Sequence, residues 1–490
     1  MKLNCRKRAS RATARAAVVT LVVAASLSAC AAPTPVVFPE GPGDVVLATS
    51  PDTMSPMSFR GGELVDGAGR FVQLHGVNMV RKEAPYFVAP GAPWLKPSDV
   101  ELLRRSGFNA VRVGVWADAL LPKPGVVDQA YLDGVQAGVD LLVGAGMWVL
   151  LDFHQDVFEG LPDWATTPAA AAQPLLPPEV TAGFWGLKYF SPQSMRQWED
   201  LYARVPVAGG RSAVDLFGDG WAAVAARFRD TPNIIGIDLL NEPWPGERFF
   251  DCAVGGCGAR YQQLASIYRD LTGRIREAAP SMRVWWAPFN WGAAFQGTPA
   301  PDEGTGLTFH SYCLGTDGGE PVQPDPVANT VCGLKYESGV DDALAVGAHW
   351  NTPVLLGEFG ASRSPLNSTR LTELADEHLL SWMYWDYNGF TTAPEIVRTN
   401  VVRAYASATA GTPTLQRFDP GSGRFELRYT PDPSITAPTS VVLPSDVYPA
   451  GYRANVHGGT VTSPAQSGRL TVVADPAVHE VVVVVERRAS

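Results

Sequence analysis

Short apolar runs rich in β-branched residues recur along the first four-fifths of the chain, separated by segments whose apolar residues follow three- and four-residue spacing. Eight runs have the length of buried strands: 72–78, 110–115, 148–153, 234–241, 284–288, 307–310, 354–358 and 382–385. Helical spacing is clearest in 97–106, 131–144, 220–228 and 261–279. This alternation predicts an α/β fold, a (β/α)₈ TIM barrel over residues 60–410. An open doubly wound sheet is the alternative, but its Gly-rich first turn is missing.

The pattern changes after residue 411. Runs at 424–430, 439–444, 469–473 and 478–486 alternate or are β-branched throughout, and Pro and Gly turns separate them. We therefore expect a small C-terminal antiparallel β-sandwich domain over residues 411–490.

The beginning of the chain has a different character. Six basic residues precede an apolar run at 16–27, which is too short to span a bilayer and suits a secretory signal peptide over residues 1–29. The run ends in Leu-Ser-Ala-Cys, which looks like a bacterial lipobox in which Cys30 would be lipidated; ordinary cleavage beside a coincidental cysteine is the alternative. Residues 30–59 are rich in Pro, Gly, Ser and Thr and read as a flexible or lipid-anchored linker. We expect an exported protein, either a cell-envelope lipoprotein or secreted.

Composition narrows the class of partner. The chain is 46% hydrophobic and 18% charged, which is typical of globular proteins. Its formal net charge of −10 includes the six basic residues of the leader, so the processed chain would be more acidic still. Nucleic acid is therefore an unsuitable partner. We expect a monomer.

Four cysteines remain when Cys5 and Cys30 are set aside: Cys252, Cys257, Cys313 and Cys332. An even number in an exported chain favours disulfides, and the pairing nearest in sequence joins the first to the second and the third to the fourth. A zinc site is the alternative, but only His310 lies near these cysteines.

Two of the predicted strands end in a glutamate. Glu242 follows Asn241 after the run IIGIDLL, and Glu358 lies in VLLGEFG. The carboxyl ends of barrel strands converge on one face, where barrel enzymes keep their catalytic groups. Two such carboxylates indicate a glycosidase, in which one carboxylic acid protonates the leaving oxygen and one carboxylate attacks the anomeric carbon. In retaining enzymes they lie about 5 to 5.5 Å apart.

Other strand ends supply the polar and aromatic groups that such a site needs: Arg112, Asp152, His154, Asp156, His310, Tyr312 and Trp385. Arg112 and Tyr312 would keep the nucleophile ionised, and Asn241 could bind the sugar 2-hydroxyl. Arg112 and His310 could instead be structural partners of buried carboxylates. Metal binding by the aspartates and His154 is a weaker alternative because this hydrolysis needs no ion, so we expect neither metal nor cofactor.

The triplet NEP at 241–243, GEFG at 357–360 and the arginine, histidine and tryptophan positions resemble glycoside hydrolase family 5, of clan A. LHGVNMVRKEAPY (74–86), LDFHQD (151–156) and FELRYTPDPSITAP (425–438) are similar to stretches of its bacterial endoglycoceramidases, which release an intact glycan from ceramide. The resemblance implies that Glu242 is the acid/base and Glu358 the nucleophile. It also implies that six residues contact the sugar nearest the cut: Lys82, Asp152, His154, Asp156, Trp164 and Trp385.

The substrate is left open among several hypotheses. A glycosphingolipid cleaved between glycan and ceramide comes first, with a host or environmental membrane as its source, and an endo-galactosylceramidase comes second. A family 5 endoglucanase or mannanase and a non-catalytic lipid-anchored glycan-binding protein are the others. Aromatic and aliphatic residues in the insertion at 165–190, with Phe249 and Phe250, fit either a lipid-facing patch or an ordinary packed insertion.

Overall fold

The computed structural model describes residues 56–82, 86, 95–158, 160–181, 185–253, 256–289, 295, 298–313, 326–362 and 365–488. They belong to one compact unit. The predicted signal peptide, Cys30 and nearly all of the predicted linker lie outside these residues. Among the described residues, no helix is both long enough and apolar enough to span a bilayer.

Short strands precede the barrel: β1 (Ser58–Arg60), β2 (Glu63–Val65) and β3 (Phe71–Val72). The next strands are β4 (His75–Met79), β5 (Ala110–Trp116), β6 (Trp148–His154), the hairpin β7 (Pro206–Ala208) and β8 (Arg211–Ser212), then β9 (Ile234–Asp238), β10 (Val284–Trp286), β11 (Thr305–His310), β12 (Val354–Gly360) and β13 (Ser381–Trp385). Without the hairpin, β4 to β13 are parallel and close into a barrel in which β13 pairs with β4. This closure confirms the predicted fold and excludes the open sheet.

Helices cover the outside of the barrel and fill its insertions. They are α1 (Pro97–Arg105), α2 (Ala117–Leu120), α3 (Gln129–Gly144), α4 (Pro168–Ala171), α5 (Pro178–Thr181), α6 (Pro192–Tyr202), α7 (Ala213–Phe228), α8 (Phe249–Ala253), α9 (Gly258–Ala278), α10 (Pro326–Trp350), α11 (Pro365–His378), α12 (Tyr387–Thr392) and α13 (Glu395–Val401). The insertion after β6 contains α4, α5 and α6, so the third strand end carries a large structured segment.

Side chains of the barrel strands alternate between the interior and the surrounding helices. In β5, Val111, Val113 and Val115 belong to the cluster between strands and helices, whereas Ala110 belongs to a separate inner cluster. Other members of the inner cluster are Trp148, Leu150, Ile235, Trp285, Leu355 and Met383. Arg112 and Asp152 come two residues after Ala110 and Leu150 on the same strands. Inside the barrel, a charged layer therefore lies next to the apolar cluster, on the side of the carboxyl ends of the strands.

The C-terminal strands are β14 (Tyr405–Thr409), β15 (Gly411–Asp419), β16 (Arg424–Pro431), β17 (Thr439–Val442), β18 (Tyr452–His457), β19 (Gly459–Val461), β20 (Arg469–Ala474) and β21 (Val481–Arg487). They form two antiparallel sheets, ordered β1-β2-β3-β14-β17-β20-β19 and β15-β16-β21-β18. The predicted sandwich is therefore present. Its first sheet also takes in β1 to β3 and β14, which the sequence assigned to the linker and the barrel, because β3 pairs with β14.

Candidate active site

The two glutamates meet at the carboxyl ends of β9 and β12. Glu242 lies four residues beyond the end of β9, and Glu358 lies two residues before the end of β12. One oxygen of each carboxylate and one ring nitrogen of His310 all lie within 4.8 Å of one another. Both glutamates are buried. The two carboxylates are therefore close enough to act on one bond, which suits the short separation of retaining glycosidases.

Glycines shape the strand that carries Glu358. A side chain at Gly357 would collide with the hydroxyl of Thr308 and reach within 3.3 Å of the His310 ring. Gly360 has a φ of +113°, a conformation that side chains disfavour. The GEFG motif is thus explained by close packing against β11 on one side of Glu358 and by a glycine-specific backbone on the other.

Arg112 connects Glu358 to the charged layer beneath it. Its Nη1 donates to Glu358 Oε1 at 2.7 Å and to Asn78 Oδ1 at 3.0 Å. Its Nη2 donates to Asp152 Oδ1 at 2.8 Å and to Asp238 Oδ2 at 2.8 Å, and Nε reaches the same Asp238 oxygen at 3.1 Å. The guanidinium is fully buried. One cation therefore serves three carboxylates.

His310 and Tyr312 complete the contacts of the pair. His310 Nδ1 lies 2.9 Å from Glu242 Oε1 and 3.5 Å from Glu358 Oε2, so its ring bridges the two carboxylates. The hydroxyl of Tyr312 donates to Glu358 Oε2 at 3.1 Å. Both oxygens of Glu358 therefore have a donor, which favours its ionised form.

The pKa values of the two glutamates are both raised. Burial raises the pKa of Glu242 to about 8, and the negative charge of Asp156 adds to the effect. Burial raises the pKa of Glu358 to about 7, against the opposing effects of His310 and Arg112. Arg112, which donates directly to Glu358, thus favours the ionised form that a nucleophile requires, whereas burial favours the protonated form of Glu242 that an acid requires.

The predicted sugar contacts from three other strand ends form a second group. Lys82 forms an ion pair with Asp156, and its Nζ lies 4.7 Å above the Trp385 ring. The ring of Trp385 stacks on His154 with centroids 5.3 Å apart. His154 Nδ1 is 2.6 Å from Asp152 Oδ2. These five residues lie in one contiguous group that meets Arg112 through Asp152.

Asn241 and Trp164 are differently placed. Asn241 is buried; its Oδ1 accepts from Arg112 at 2.9 Å and its Nδ2 donates to the Gln155 carbonyl at 2.9 Å. The indole of Trp164 donates to the Leu121 carbonyl at 2.8 Å and packs against Phe217. Trp164 is therefore bound to the helical layer in these contacts, and none of them involves another predicted site residue.

The insertion residues divide between the two interpretations. Tyr189 and Phe190 pack against Trp244, and Phe190 also packs against Phe249, so these rings support the loop after Glu242. Phe250 is 69% exposed. Within the insertion, Phe184 and the side chain of Trp185 lie outside the described residues.

The four expected cysteines form two disulfides, Cys252–Cys257 and Cys313–Cys332. The first joins α8 to the residue before α9, in the segment that follows the loop of Glu242. The second joins the residue after Tyr312 to the second turn of α10. Each therefore braces a segment next to one of the two glutamates.

Three further residues of the site were missed by the sequence analysis. Asn78 donates from Nδ2 to the Gly357 carbonyl at 3.0 Å and accepts from Arg112. Asp238 shares Arg112 with Glu358, and Gln155 donates from Nε2 to the carbonyl oxygens of Asn241 and Glu242. A polar residue inside an otherwise apolar strand was the available signal for Asn78 and Asp238. For Gln155 it was its place within LDFHQD.

Glu242, His310 and Glu358 are near enough to one another to ligate a metal ion. Their contacts with one another and with Arg112 and Tyr312 suit acid/base and nucleophilic chemistry, which needs no ion. The aspartates and His154 considered as a metal site are bound instead to Arg112, to Lys82 and to each other.

A closed parallel barrel with two adjacent carboxylates at its strand ends defines a glycoside hydrolase of the two-carboxylate class. Residues 65–391 match the family model described as cellulase (glycosyl hydrolase family 5), and residues 403–485 match the glycoside hydrolase family 5 C-terminal domain. The chain belongs to glycoside hydrolase family 5.

Individual relatives agree with this assignment. The chain is 35% identical over 433 residues to endoglycoceramidase I of Rhodococcus hoagii (strain 103S), with 85% of each chain covered. It resembles the structure of endo-glycoceramidase II from Rhodococcus sp. in complex with ganglioside GM3 at a TM-score of 0.70 and 26% identity, over 88% of this chain and 100% of that one. A crystal structure of endogalactoceramidase matches at a TM-score of 0.61 and 22% identity, over 88% and 99%, which shows the shared fold.

Proposed function

We propose that the protein is a retaining endoglycoceramidase, which hydrolyses the bond between an oligosaccharide and ceramide in glycosphingolipids and releases both intact. The reaction type is carried by the Glu242–Glu358 geometry, with both carboxylates beside His310 inside 4.8 Å. The substrate is supported by the 35% identity to an endoglycoceramidase along most of both chains.

The reaction follows from the charges of the pair. The Glu358 carboxylate attacks the anomeric carbon, and Glu242 transfers its proton to the ceramide 1-oxygen as the glycosidic bond breaks. This step gives free ceramide and a glycosyl ester on Glu358. Glu242, now a carboxylate, takes a proton from water while that water's oxygen attacks the anomeric carbon and displaces Glu358. The glycan leaves with its configuration retained.

Exposed apolar residues beside the active site support an amphiphilic substrate. Val327, Val331 and Leu334 lie on one face of α10 and are 71%, 58% and 62% exposed. They occupy the first turns of a helix that follows β11, and in a βα barrel those turns lie near the catalytic face. Phe250 follows the loop of Glu242. A glycan-specific polysaccharide hydrolase would have no use for this apolar surface.

We further propose that the protein is exported and that a lipid surface presents its substrate. The basic leader, the apolar run and Cys30 support this, together with the two disulfides. Growth with globomycin, which blocks lipoprotein signal peptidase, should increase the mass of the cell-bound protein. An unchanged mass would indicate ordinary cleavage or none.

One assay tests the substrate. The purified protein is incubated with a ganglioside, with a glycolipid in which galactose is linked directly to ceramide, and with carboxymethylcellulose. Glu358→Gln is the control in each case. Intact oligosaccharide and ceramide from the ganglioside are expected. Release only from the galactose-linked lipid would make it an endo-galactosylceramidase, reducing sugar only from cellulose would make it an endoglucanase, and binding without release would leave a glycan-binding protein.

A further inference from the structure

Gln155 is a buried member of the LDFHQD motif, and the reaction described above gives it no part. Its Nε2 donates to the carbonyl oxygen of Asn241 at 2.6 Å and to that of Glu242 at 3.2 Å. Its Oε1 accepts from the backbone N–H of Phe158 at 2.7 Å. Both polar ends of the side chain are therefore bound to backbone. The Nε2 end binds the two peptide groups that flank the Cα of Glu242.

The contact runs in both directions. Asn241 Nδ2 donates to the Gln155 carbonyl at 2.9 Å, and the Asn241 N–H donates to the Phe153 carbonyl at 2.9 Å. The loop that carries Glu242 is thus joined to the end of β6 by side chains from both partners. The same Asn241 binds Arg112 through its Oδ1, so this join is continuous with the charged layer.

The backbone at Glu242 needs such support. Its φ is +41°, in the left-handed region that residues other than glycine rarely adopt. A residue is kept in this region only when its surroundings fix it. The donor that Gln155 provides to the Glu242 carbonyl, and to the carbonyl before it, is a direct means of doing so.

We propose that Gln155 is the positioning residue of the proton donor: through the carbonyls of Asn241 and Glu242 it fixes the backbone from which the Glu242 carboxyl group reaches the leaving oxygen. Gln155 acts through Glu242 and is not itself a catalytic residue. The proposal rests on the proposed function, because that function assigns the donor role to Glu242.

Leaving groups distinguish this role from a general structural one. A phenolate is a poor leaving group and needs the proton of Glu242, whereas 2,4-dinitrophenolate leaves without it. A misplaced Glu242 should therefore slow cleavage of a phenyl glycoside and leave the first step on a dinitrophenyl glycoside nearly unchanged. Loss of fold or of the nucleophile would reduce both.

The experiment compares kcat/KM for phenyl and 2,4-dinitrophenyl lactosides in wild type and Gln155→Met, which preserves the length of the side chain and removes its donor. Active enzyme is counted by trapping Glu358 with a 2-deoxy-2-fluoro-glycoside. General acid catalysis is worth roughly 10² to 10⁴ in rate. We expect a loss of about 100-fold for the phenyl substrate and less than about threefold for the dinitrophenyl one.

Gln73→Leu is the matched control. Gln73 is also buried and its Nε2 also donates to a backbone carbonyl, that of Leu380 at 3.1 Å, but it precedes β4 at the opposite end of the barrel. It should leave the ratio of the two rates unchanged per active site. If Gln155→Met folds poorly, Gln155→Glu serves as the second variant. It has the same shape as glutamine but places an acceptor against the two carbonyls, so it should show the same selective loss.

Equal losses on both lactosides, or none on either, would overturn the proposal. A selective loss would support it. Because these substrates contain no ceramide, the comparison stands apart from the substrate assay: an enzyme that ignores gangliosides while cleaving aryl lactosides would sink the proposed substrate and leave the role of Gln155 testable.

Discussion

Arg112 binds three buried carboxylates, those of Glu358, Asp152 and Asp238. We expect this competition for one positive charge to affect the basicity of the nucleophile. Burial raises the pKa of both Asp152 and Asp238 to about 6, against the opposing effect of Arg112. Each aspartate that binds the guanidinium weakens the effect by which Arg112 lowers the pKa of Glu358. Because Asp238 and Glu358 bind the same guanidinium, we expect Asp238 to affect the pKa of Glu358 through Arg112.

Removal of the Asp238 charge tests this. Asp238→Asn preserves the shape of the side chain and leaves more of the Arg112 charge for Glu358, so the pKa of Glu358 should fall. Ionised Glu358 would then persist to lower pH, and the acid limb of the kcat/KM profile should move down by roughly half a pH unit or more. The less basic nucleophile should also react more slowly.

Asp219→Asn is the control for this profile. Asp219 binds Arg211 and Arg274 on the outside of the barrel, so its removal changes net charge equally without touching Arg112. An acid limb that moves upward in Asp238→Asn, or moves equally in both variants, would contradict the shared-charge account.

The assignment of the two glutamates makes a separate prediction at the residue scale. Glu358→Gly should lose nearly all turnover, and added azide should restore cleavage of an activated glycoside by attacking the anomeric carbon directly, giving the inverted glycosyl azide. In Glu242→Ala, azide should instead attack the glycosyl ester on Glu358 and give the azide with retained configuration. The NMR coupling constant of the anomeric proton distinguishes the two products.

The same Glu242→Ala variant should also change the pH profile. Wild type should lose activity above about pH 8 as the pKa of Glu242 is passed and the donor loses its proton. With a dinitrophenyl substrate and no donor, this alkaline limb should disappear. Identical azide products from both variants would show that the roles of the two glutamates are not as assigned.

The sequence points to residues whose chemistry is visible in one position and misses those whose role depends on partners elsewhere in the chain. Glu242, Glu358 and Arg112 are charges within or just after apolar strands, where a charge has few explanations other than function. Gln155 and Asp238 acquire their roles from atoms on other strands, and no spacing in the chain records those contacts. The sugar contact of Trp164 stays a prediction; in the structure its indole donates to the Leu121 carbonyl.

At the scale of elements, the eight barrel strands were predictable because each is buried on both faces and so is apolar throughout. The ends were less so: β9 stops at Asp238, while the apolar run continues to Leu240 because residues 239 and 240 are buried in the loop. The sandwich strands β15 and β18 were missed. Their alternation of buried and exposed residues includes polar and Pro positions that resemble loops.

The two disulfides should differ in what they stabilise. Cys313–Cys332 closes a sequence separation of 19 residues, against 5 for Cys252–Cys257. Loop-closure entropy predicts losses of about 3 and about 2 kcal/mol when each pair is replaced by serine. Urea unfolding of the two double variants measures this order. Cys313–Cys332 is also next to Tyr312, so replacing this pair should lower kcat more than replacing Cys252–Cys257.

A thiol count provides the necessary control. The purified protein, denatured without reductant, should show no free thiol among these four cysteines, and reduction should expose all four. Free thiols before reduction would remove the basis for both stability estimates.

At the scale of the whole molecule, the sandwich is attached to the end of the barrel opposite the glutamates. The His75 ring, at the start of β4, stacks on Tyr405 of β14 at 3.6 Å, and the Tyr405 hydroxyl donates to the Gly107 carbonyl at 2.9 Å. Asp376 of α11 forms a buried ion pair with Arg403 and accepts from the Phe418 N–H of β15 at 3.1 Å. These contacts favour a bracing role for the sandwich over a substrate-binding one.

Arg403→Met tests whether barrel and sandwich unfold as one unit. The change leaves Asp376 buried without its cation, which costs about 3 to 5 kcal/mol when a buried ion pair is broken. Because Arg403 lies at the end of the barrel opposite the glutamates, kcat per folded molecule should not change. Arg370→Met is the matched control: its pair with Glu337 is half-exposed and should be worth about 0 to 1 kcal/mol. Calorimetry should show one transition, shifted to lower temperature in Arg403→Met alone. The reason is that β3, which leads into the barrel, pairs with β14 of the sandwich and so joins the two into one cooperative structure. Two separate transitions would instead mean that the sandwich folds independently and does not brace the barrel.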